Sequence, residues 1–102
     1  MIEFMTVAKT SDLAEGELRR FDVAGTPVAV ANVGGAVYAF GNTCTHQGCS
    51  LAQGELDGTT VTCPCHGSRF DVTSGAVLRG PAREPVPSYA VRVGGKGIQI
   101  RT

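Results

Sequence analysis

The sequence contains no tryptophan, only two histidines, and no excess of either charge. Its nine basic and nine acidic residues cancel, so no overall field draws the protein to nucleic acid or to anionic membranes. Long apolar runs are missing too, since the weakly polar run at 28–40 includes Asn32 and is too short to span a bilayer. The first residues lack the apolar core of a signal peptide. We therefore expect a soluble, cytoplasmic protein that binds neither nucleic acid nor membrane.

Amphipathic helical periodicity is also absent, and a pattern of short strands and turns takes its place. Fourteen glycines and five prolines interrupt short runs rich in Val, Thr, Phe and Tyr. Gly34-Gly35 joins two apolar runs and Gly94-Gly95 joins two more, as in hairpins with tight turns. The length of 102 residues is that of one domain, 1–102. We predict an all-β fold, an antiparallel β sandwich or partly closed barrel.

One segment, about 41–87, departs from this pattern. Its apolar alternation weakens, turns and prolines become frequent, and it holds all four cysteines and both histidines of the chain. We interpret it as a small, loop-rich subdomain that builds a site on the sheet framework. The sequence shows no Ser-His-Asp set, phosphate-binding loop or spare pair of carboxylates. We therefore predict no catalytic residues.

The cysteines and histidines form two short motifs, CTHQGC and CPCHGS. In the first motif, Cys44 and His46 are two residues apart and point to the same side of an extended segment. In the second motif, Cys63 and His66 are three residues apart and can converge across a tight turn. Each motif can thus offer one thiolate and one imidazole to a common centre.

Three kinds of metal site compete for such a donor set. A structural zinc site also uses two cysteines and two histidines, but it usually pairs like ligands along the chain. A plant-type iron–sulfur cluster needs the spacing C-x-x-x-x-C-x-x-C. Cys44 and Cys49 fit its first gap, but Cys63 lies too far along the chain for the second, and both histidines would be unexplained. A Rieske [2Fe–2S] cluster has two thiolates on one iron and two imidazoles on the other. Mixed ligands within each motif favour this third kind, because each loop must then reach both irons.

The two motifs together resemble the cluster loops of Rieske proteins, without a gap in either loop. The later stretch GAVLRGPAREPVPSYAVRV resembles the proline-containing loop of that family and the strand that follows it, whereas the residues before 40 share only a generic strand pattern. The resemblance implies one Rieske-type [2Fe–2S] cluster. Its ligands would be Cys44 and Cys63 on the inner iron and His46 and His66 on the outer iron, which lies near the surface.

The same resemblance implies roles for five other residues. Cys49 and Cys65 resemble the pair that forms a disulfide between the loops in the cytochrome bc-type branch. Ser68 resembles the serine whose hydroxyl donates to a bridging sulfide, and Pro81 belongs to the proline loop near the cluster. Phe70 stands where the high-potential branch has a tyrosine that donates to a ligand sulfur, so that donor is absent and Phe70 is expected to pack in the core.

A domain of this length resembles the ferredoxin component of bacterial aromatic-ring-hydroxylating dioxygenase systems. This implies a one-electron carrier, not an enzyme, that passes electrons from a flavin-dependent reductase to a terminal Rieske non-haem iron oxygenase. Such ferredoxins generally lack a pair like Cys49 and Cys65. The cluster loops therefore resemble those of the cytochrome bc-type branch, whereas the chain has the length of a ferredoxin. The alternatives are a Rieske subunit or domain of another oxidoreductase complex, of quinol-oxidising or arsenite-oxidising type, or the small subunit of a nitrite reductase.

Overall fold

The strands of this protein pair antiparallel throughout the part of the chain that the structure describes. The structure is a computed structural model and describes residues 4–45, 48–65, 67–95 and 97–102. Its ten strands are β1 (Met5–Ala8), β2 (Leu18–Val23), β3 (Thr26–Val33), β4 (Ala36–Gly41), β5 (Glu55–Asp57), β6 (Thr60–Thr62), β7 (Arg69–Asp71), β8 (Val77–Arg79), β9 (Ser88–Gly94) and β10 (Gly97–Arg101). Single 3-10 turns lie at Thr10–Asp12 and Leu51–Gln53. No described helix has the length and apolarity needed to cross a membrane.

The strands form a larger and a smaller sheet. The six-stranded sheet has the order β1-β10-β9-β4-β3-β2, and the four-stranded sheet has the order β5-β6-β7-β8. The predicted all-β, antiparallel fold class is therefore confirmed. The smaller sheet lies wholly within the segment 41–87, where we expected mainly loops.

Tight two-residue turns connect the hairpins because their residues accept positive φ. Gly34 and Gly35 join β3 to β4 with φ of 60° and 93°, as the sequence predicts. Gly58, with φ of 58°, begins the turn from β5 to β6. The turn from β2 to β3 was not predicted, and there Ala24 adopts φ of 50° before Gly25. Alanine carries a steric cost in this conformation that glycine does not.

Strand β3 separates two hydrophobic cores. Ala29 and Ala31 face a core shared with the smaller sheet, whereas Val28 and Val30 face a core shared with β10. All four side chains are fully buried. A strand that is covered on both faces needs a continuous apolar run, and this explains the sequence PVAVANV. The larger sheet thus supports the smaller one through the small alanine side chains of one face.

Three connections meet beside the first of these cores. The loop 44–49 follows β4, the loop 63–68 joins β6 to β7, and the proline-containing loop 80–87 joins β8 to β9. The first two contain the predicted metal ligands. The segment after β4 is held by Asn42, a buried side chain whose amide oxygen accepts from Ala52 N–H at 3.0 Å.

Candidate metal centre

The loops 44–49 and 63–68 share two backbone hydrogen bonds. In each, the first cysteine donates its N–H to the carbonyl oxygen of the sixth residue and accepts at its own carbonyl oxygen from the N–H of the fifth. The bonds are Cys44 N to Cys49 O, 2.9 Å; Gly48 N to Cys44 O, 2.8 Å; Cys63 N to Ser68 O, 2.7 Å; and Gly67 N to Cys63 O, 3.2 Å. Both glycines have φ of 76°, a conformation that glycine adopts without a steric penalty.

The first cysteine of each loop is buried in one shared core. Cys44 is 2% exposed and Cys63 is 3% exposed, and both belong to the hydrophobic cluster that also contains Phe70. Phe70 is fully buried, as expected for a core residue. The equivalent turns therefore present two buried cysteines, one from each loop, to the same region of the molecule.

A disulfide between Cys49 and Cys65 joins the two loops. The sulfurs of Cys49, Cys63 and Cys65 all lie within 4.8 Å of one another, which resembles a three-cysteine metal site. Two of these sulfurs are bonded to each other, however, so they are not thiolates and do not serve as ligands. Cys63 remains as the ligand candidate of the three. Cys65 is exposed and Cys49 is half-buried, so the bridge reaches the surface.

The proline-containing loop is tied to both cluster loops. The N–H of Ala82 donates to Ser68 Oγ at 3.0 Å, and Ser68 is fully buried. The hydroxyl of Thr45 donates to the carbonyl oxygen of Glu84 at 2.7 Å. Pro81, which follows a cis peptide bond, lines an open groove with Thr45 between these two bonds. Pro81 thus lies next to Thr45 of the first cluster loop.

The Ser68 hydroxyl acts as an acceptor within the described part of the chain. Its Oγ accepts from Ala82 N–H and donates to none of the described residues. A fully buried hydroxyl normally uses its donor as well as its acceptor. The position is therefore suited to the donor role that the resemblance implies.

The turn between β7 and β8 is held by Asp71. Its carboxylate accepts from the hydroxyl of Thr73 at 2.6 Å and from the Thr73 N–H at 2.8 Å. The Thr73 hydroxyl, the Thr73 N–H and a backbone bond from Ser74 hold the pKa of the Asp71 carboxyl below its ordinary value, against a smaller effect of burial. Hydrogen bonds favour the charged carboxylate because it is the better acceptor. Gly75 then packs so closely on the carbonyl of Val86 that a Cβ would clash with it.

Sequence reasoning missed Asn42 as an anchor of the first loop. Its backbone carbonyl accepts from Leu51 N–H at 2.8 Å, and its side chain also bonds the hydroxyl of Ser50 at 3.0 Å. A polar residue directly after an apolar strand and two residues before Cys44 was the available signal. His46 and His66, the predicted outer-iron ligands, lie outside the described residues.

A sequence profile of the Rieske [2Fe-2S] domain matches residues 3–90. The chain belongs to this family. Its cofactor is therefore a Rieske-type [2Fe–2S] cluster. The described cysteines of this Rieske domain fit that group, because two loops with the same backbone bonds each place a buried cysteine in one hydrophobic cluster and the disulfide removes the other pair from competition. The predicted resemblance and cofactor are confirmed, whereas the assignment of individual ligands stays a prediction.

Ferredoxin components of dioxygenase systems are similar to this Rieske domain over most of their length. Ferredoxin CarAc from Metapseudomonas resinovorans is 38% identical over 91 residues, which cover 88% of this chain and 85% of the relative. The naphthalene 1,2-dioxygenase system ferredoxin component from Pseudomonas putida is 31% identical over 97% of this chain and 95% of the relative. Proteins with these names are electron-transfer components rather than catalytic subunits.

Solved structures show the same fold. The ferredoxin of carbazole 1,9a-dioxygenase from Nocardioides aromaticivorans IC177 superposes with a TM-score of 0.92 and 36% identity, covering 95% of both chains. A chain from the complex of reduced oxygenase and oxidized ferredoxin in carbazole 1,9a-dioxygenase gives a TM-score of 0.91 and 35% identity, covering 96% of this chain and 92% of the other.

Two further structures bear on the alternatives. The plasma membrane Rieske protein PetC3 from Synechocystis PCC 6803 is 33% identical at a TM-score of 0.75, covering 96% of this chain and 99% of its own. A putative NADH-dependent nitrite reductase small subunit from Mycobacterium tuberculosis is 26% identical at a TM-score of 0.88, covering 100% of this chain and 96% of its own.

Proposed function

We propose that this protein is a cytoplasmic Rieske ferredoxin that passes single electrons from a flavin-dependent reductase to a terminal aromatic-ring-hydroxylating oxygenase. The observation that carries the proposal is the pair of equivalent loops, each beginning with a buried cysteine, in a chain that matches ferredoxin components over nearly its whole length. The similar chain from the complex of oxygenase and ferredoxin in carbazole 1,9a-dioxygenase supports a terminal oxygenase as the electron acceptor.

Cys44 and Cys63 would hold the inner iron of the cluster, and His46 and His66 would hold the outer iron. When bound, the cluster supplies one-electron redox chemistry at a potential above that of all-cysteine ferredoxins. The segment 41–87 would act as the cluster-binding subdomain within the domain 1–102. Cys44, Cys63 and Ser68 are buried, and the Ser68 hydroxyl would donate to the cluster as the resemblance implies.

A test of the cluster assignment begins with protein purified without oxygen. Iron and acid-labile sulfide analysis should give about two of each per chain, and Mössbauer spectra of the oxidised protein should show two inequivalent iron sites, because their ligands differ. Cys44→Ala and Cys63→Ala should each abolish the cluster. Zinc in place of iron, or two equivalent iron sites, would contradict the assignment.

A test of the electron-transfer role follows reconstitution with a flavin-dependent reductase and a terminal oxygenase. We expect aromatic substrate oxidation only when this protein is present, and none with Cys44→Ala. Oxidation that proceeds at the same rate without the protein would contradict the proposal.

A second candidate function is a Rieske subunit of another oxidoreductase complex. The Cys49–Cys65 disulfide favours it, because the resemblance associates this pair with the cytochrome bc-type branch. The PetC3 neighbour is consistent with that branch, and the nitrite reductase neighbour represents the other alternative. Electron transfer to a quinone-linked partner but not to a terminal oxygenase would favour this second candidate.

A further inference from the structure

Three cysteine sulfurs from the two cluster loops form a compact group. The Sγ atoms of Cys49, Cys63 and Cys65 lie within 4.8 Å of one another, and those of Cys49 and Cys65 are bonded. Cys63 lies outside that bond. A cysteine that is predicted to bind iron is therefore placed beside a disulfide. A cysteine thiolate attacks disulfides as well as binding metals, so Cys63 has two reactions open to it.

The distances favour a reaction within the molecule. A new S–S bond is about 2.05 Å long, and rotation between staggered χ1 positions moves a sulfur by an amount comparable to the gap that remains. The backbone is already in place, because the Cys63 N–H and the Cys49 carbonyl oxygen are held in loop-closing bonds of 2.7 Å and 2.9 Å. A nucleophile held beside its target reacts as if it were far more concentrated than a dissolved thiol.

Burial separates this reaction from reactions with dissolved reagents. Cys63 is 3% exposed, so oxidants and alkylating reagents in solution have little access to its sulfur. The disulfide lies within reach of the same sulfur inside the fold. Exchange with the Cys49–Cys65 bridge is therefore the reaction that the surroundings of Cys63 favour when no metal occupies it.

The two sulfurs of the bridge differ as targets. Attack on Cys49 forms a Cys49–Cys63 bridge and releases Cys65, whereas attack on Cys65 releases Cys49. Cys65 is exposed and Cys49 is half-buried, so water solvates the Cys65 thiolate better. The bridges 49–65 and 49–63 close loops that differ by two residues, so chain entropy hardly distinguishes them. Attack on Cys49 is the favoured route.

We propose that Cys63 exchanges with the Cys49–Cys65 disulfide when the cluster is absent, and that binding of Cys63 to iron prevents this exchange. The Cys63 thiolate forms a bond to Cys49 Sγ, the Cys49–Cys65 bond breaks, and its electron pair leaves on Cys65, which then takes up a proton. One disulfide is lost and one is formed, so no oxidant or reductant is needed. The proposal rests on the ligand assignment made under the proposed function, because only an iron-bound Cys63 is withheld from the attack.

The exchanged chain could not rebind the cluster. Cys63 would lack the thiolate that the inner iron requires, and the released thiol of Cys65 is at an exposed position rather than a buried one. A thiol reductant that opens the Cys49–Cys63 bridge would restore the donor set. Retention of the cluster and correct pairing of the disulfide would thus depend on each other.

The test follows which cysteines are reduced and which are bridged. Acid and an iron chelator release the cluster without oxygen, and a return to neutral pH starts the exchange, since acid suppresses thiolates. N-Ethylmaleimide added with denaturant at successive times labels the reduced cysteines, and a heavy-isotope form labels the bridged cysteines after reduction. Fragmentation of the peptide before Pro64 separates the label on Cys63 from that on Cys65.

We expect the first label to move from Cys63 to Cys65 in the cluster-free protein, while the number of reactive thiols stays constant. In the holoprotein the first label should stay on Cys63 over the same time. The yield of cluster on reconstitution with iron and sulfide should fall by the fraction of chains that have exchanged. Dithiothreitol added before reconstitution should restore that yield.

The matched variant is Cys63→Ser, in which Cys65 should never take the first label. Cys44 lies outside the sulfur group and reports random exchange in unfolded chains, and circular dichroism checks that the cluster-free protein keeps its strands. A label that stays on Cys63 in the cluster-free protein would overturn the proposal. Labelling of Cys65 in the variant, entry of Cys44 into a bridge, or a loss of thiols would also overturn it. Exchange in the holoprotein at the cluster-free rate would instead contradict Cys63 as an iron ligand.

Discussion

Replacing Ser68 by alanine removes a fully buried hydroxyl to which we assign two separate roles. Its oxygen accepts from the N–H of Ala82 at 3.0 Å and so anchors the proline-containing loop. By the resemblance to the family, its proton would donate to a bridging sulfide of the cluster. The substitution should therefore change both the stability of the fold and the midpoint potential.

The two changes have different magnitudes. In the variant the Ala82 amide, in a residue that is 4% exposed, loses its acceptor, and an unsatisfied buried group costs about 1–3 kcal/mol. A hydrogen bond to sulfide strengthens when the cluster gains an electron, because the acceptor becomes more negative. If the bond is stronger by about 1 kcal/mol in the reduced state, its loss lowers the potential by about 40 mV, since 59 mV corresponds to a tenfold change for one electron.

Film voltammetry measures the potential, and thermal unfolding measures the stability. The matched control is Ser74→Ala, which also removes a hydroxyl that accepts from an amide, that of Ala76 at 3.3 Å, but in an exposed turn. The control should leave the midpoint potential unchanged and lower the free energy of unfolding by well under about 1 kcal/mol. An unaltered potential in Ser68→Ala would refute donation to the cluster. Unaltered stability would show that the anchoring bond contributes nothing.

Three further predictions concern stability. Asp71→Asn should lose about 1 kcal/mol at neutral pH because it weakens the bonds from Thr73. Because the pKa of Asp71 is lower in the folded state, the wild type should lose this stability as the pH falls below the ordinary carboxyl pKa of 3.8. The stability of the variant should not change for this reason, and urea unfolding between pH 7 and pH 2 measures the difference. Ala24→Asn should stabilise the protein by about 1 kcal/mol in thermal unfolding, because asparagine tolerates positive φ, and a lower midpoint would contradict the turn geometry. Alanine at both Cys49 and Cys65 should cost about 3 kcal/mol in denaturant unfolding, and no loss would mean that the bridge is reduced in the wild type.

The hairpins could be predicted from sequence because their signals are local. Gly34-Gly35 specifies a turn that few other residues adopt, and the apolar runs on either side have the right lengths. The turn at Ala24 was missed because alanine is a poor residue for positive φ, and there the pairing of β2 with β3 overrides the local preference. Strands β7 and β8 were missed for a related reason. Each has only three residues, too few to show an alternating pattern, and the packing of Phe70 and Val77 stabilises them.

Part of the site could be predicted from the sequence and part could not. Both loops have a glycine four residues after the first cysteine, so their common backbone could have been inferred from Gly48 and Gly67. The contact of Ser68 with Ala82 depends on how the loop after β8 returns across the site, and no local pattern encodes that.

The disulfide resembles that of the cytochrome bc-type branch of the family, yet its position argues for a structural role. The loops it joins are already held through the proline-containing loop, by the bond from Thr45 to Glu84 on one side and from Ala82 to Ser68 on the other. A cross-link among segments that other bonds already fix acts mainly on stability. Partner choice depends instead on the side chains that are exposed around the site. Ferredoxin-like partner selection is therefore compatible with bc-like cluster loops.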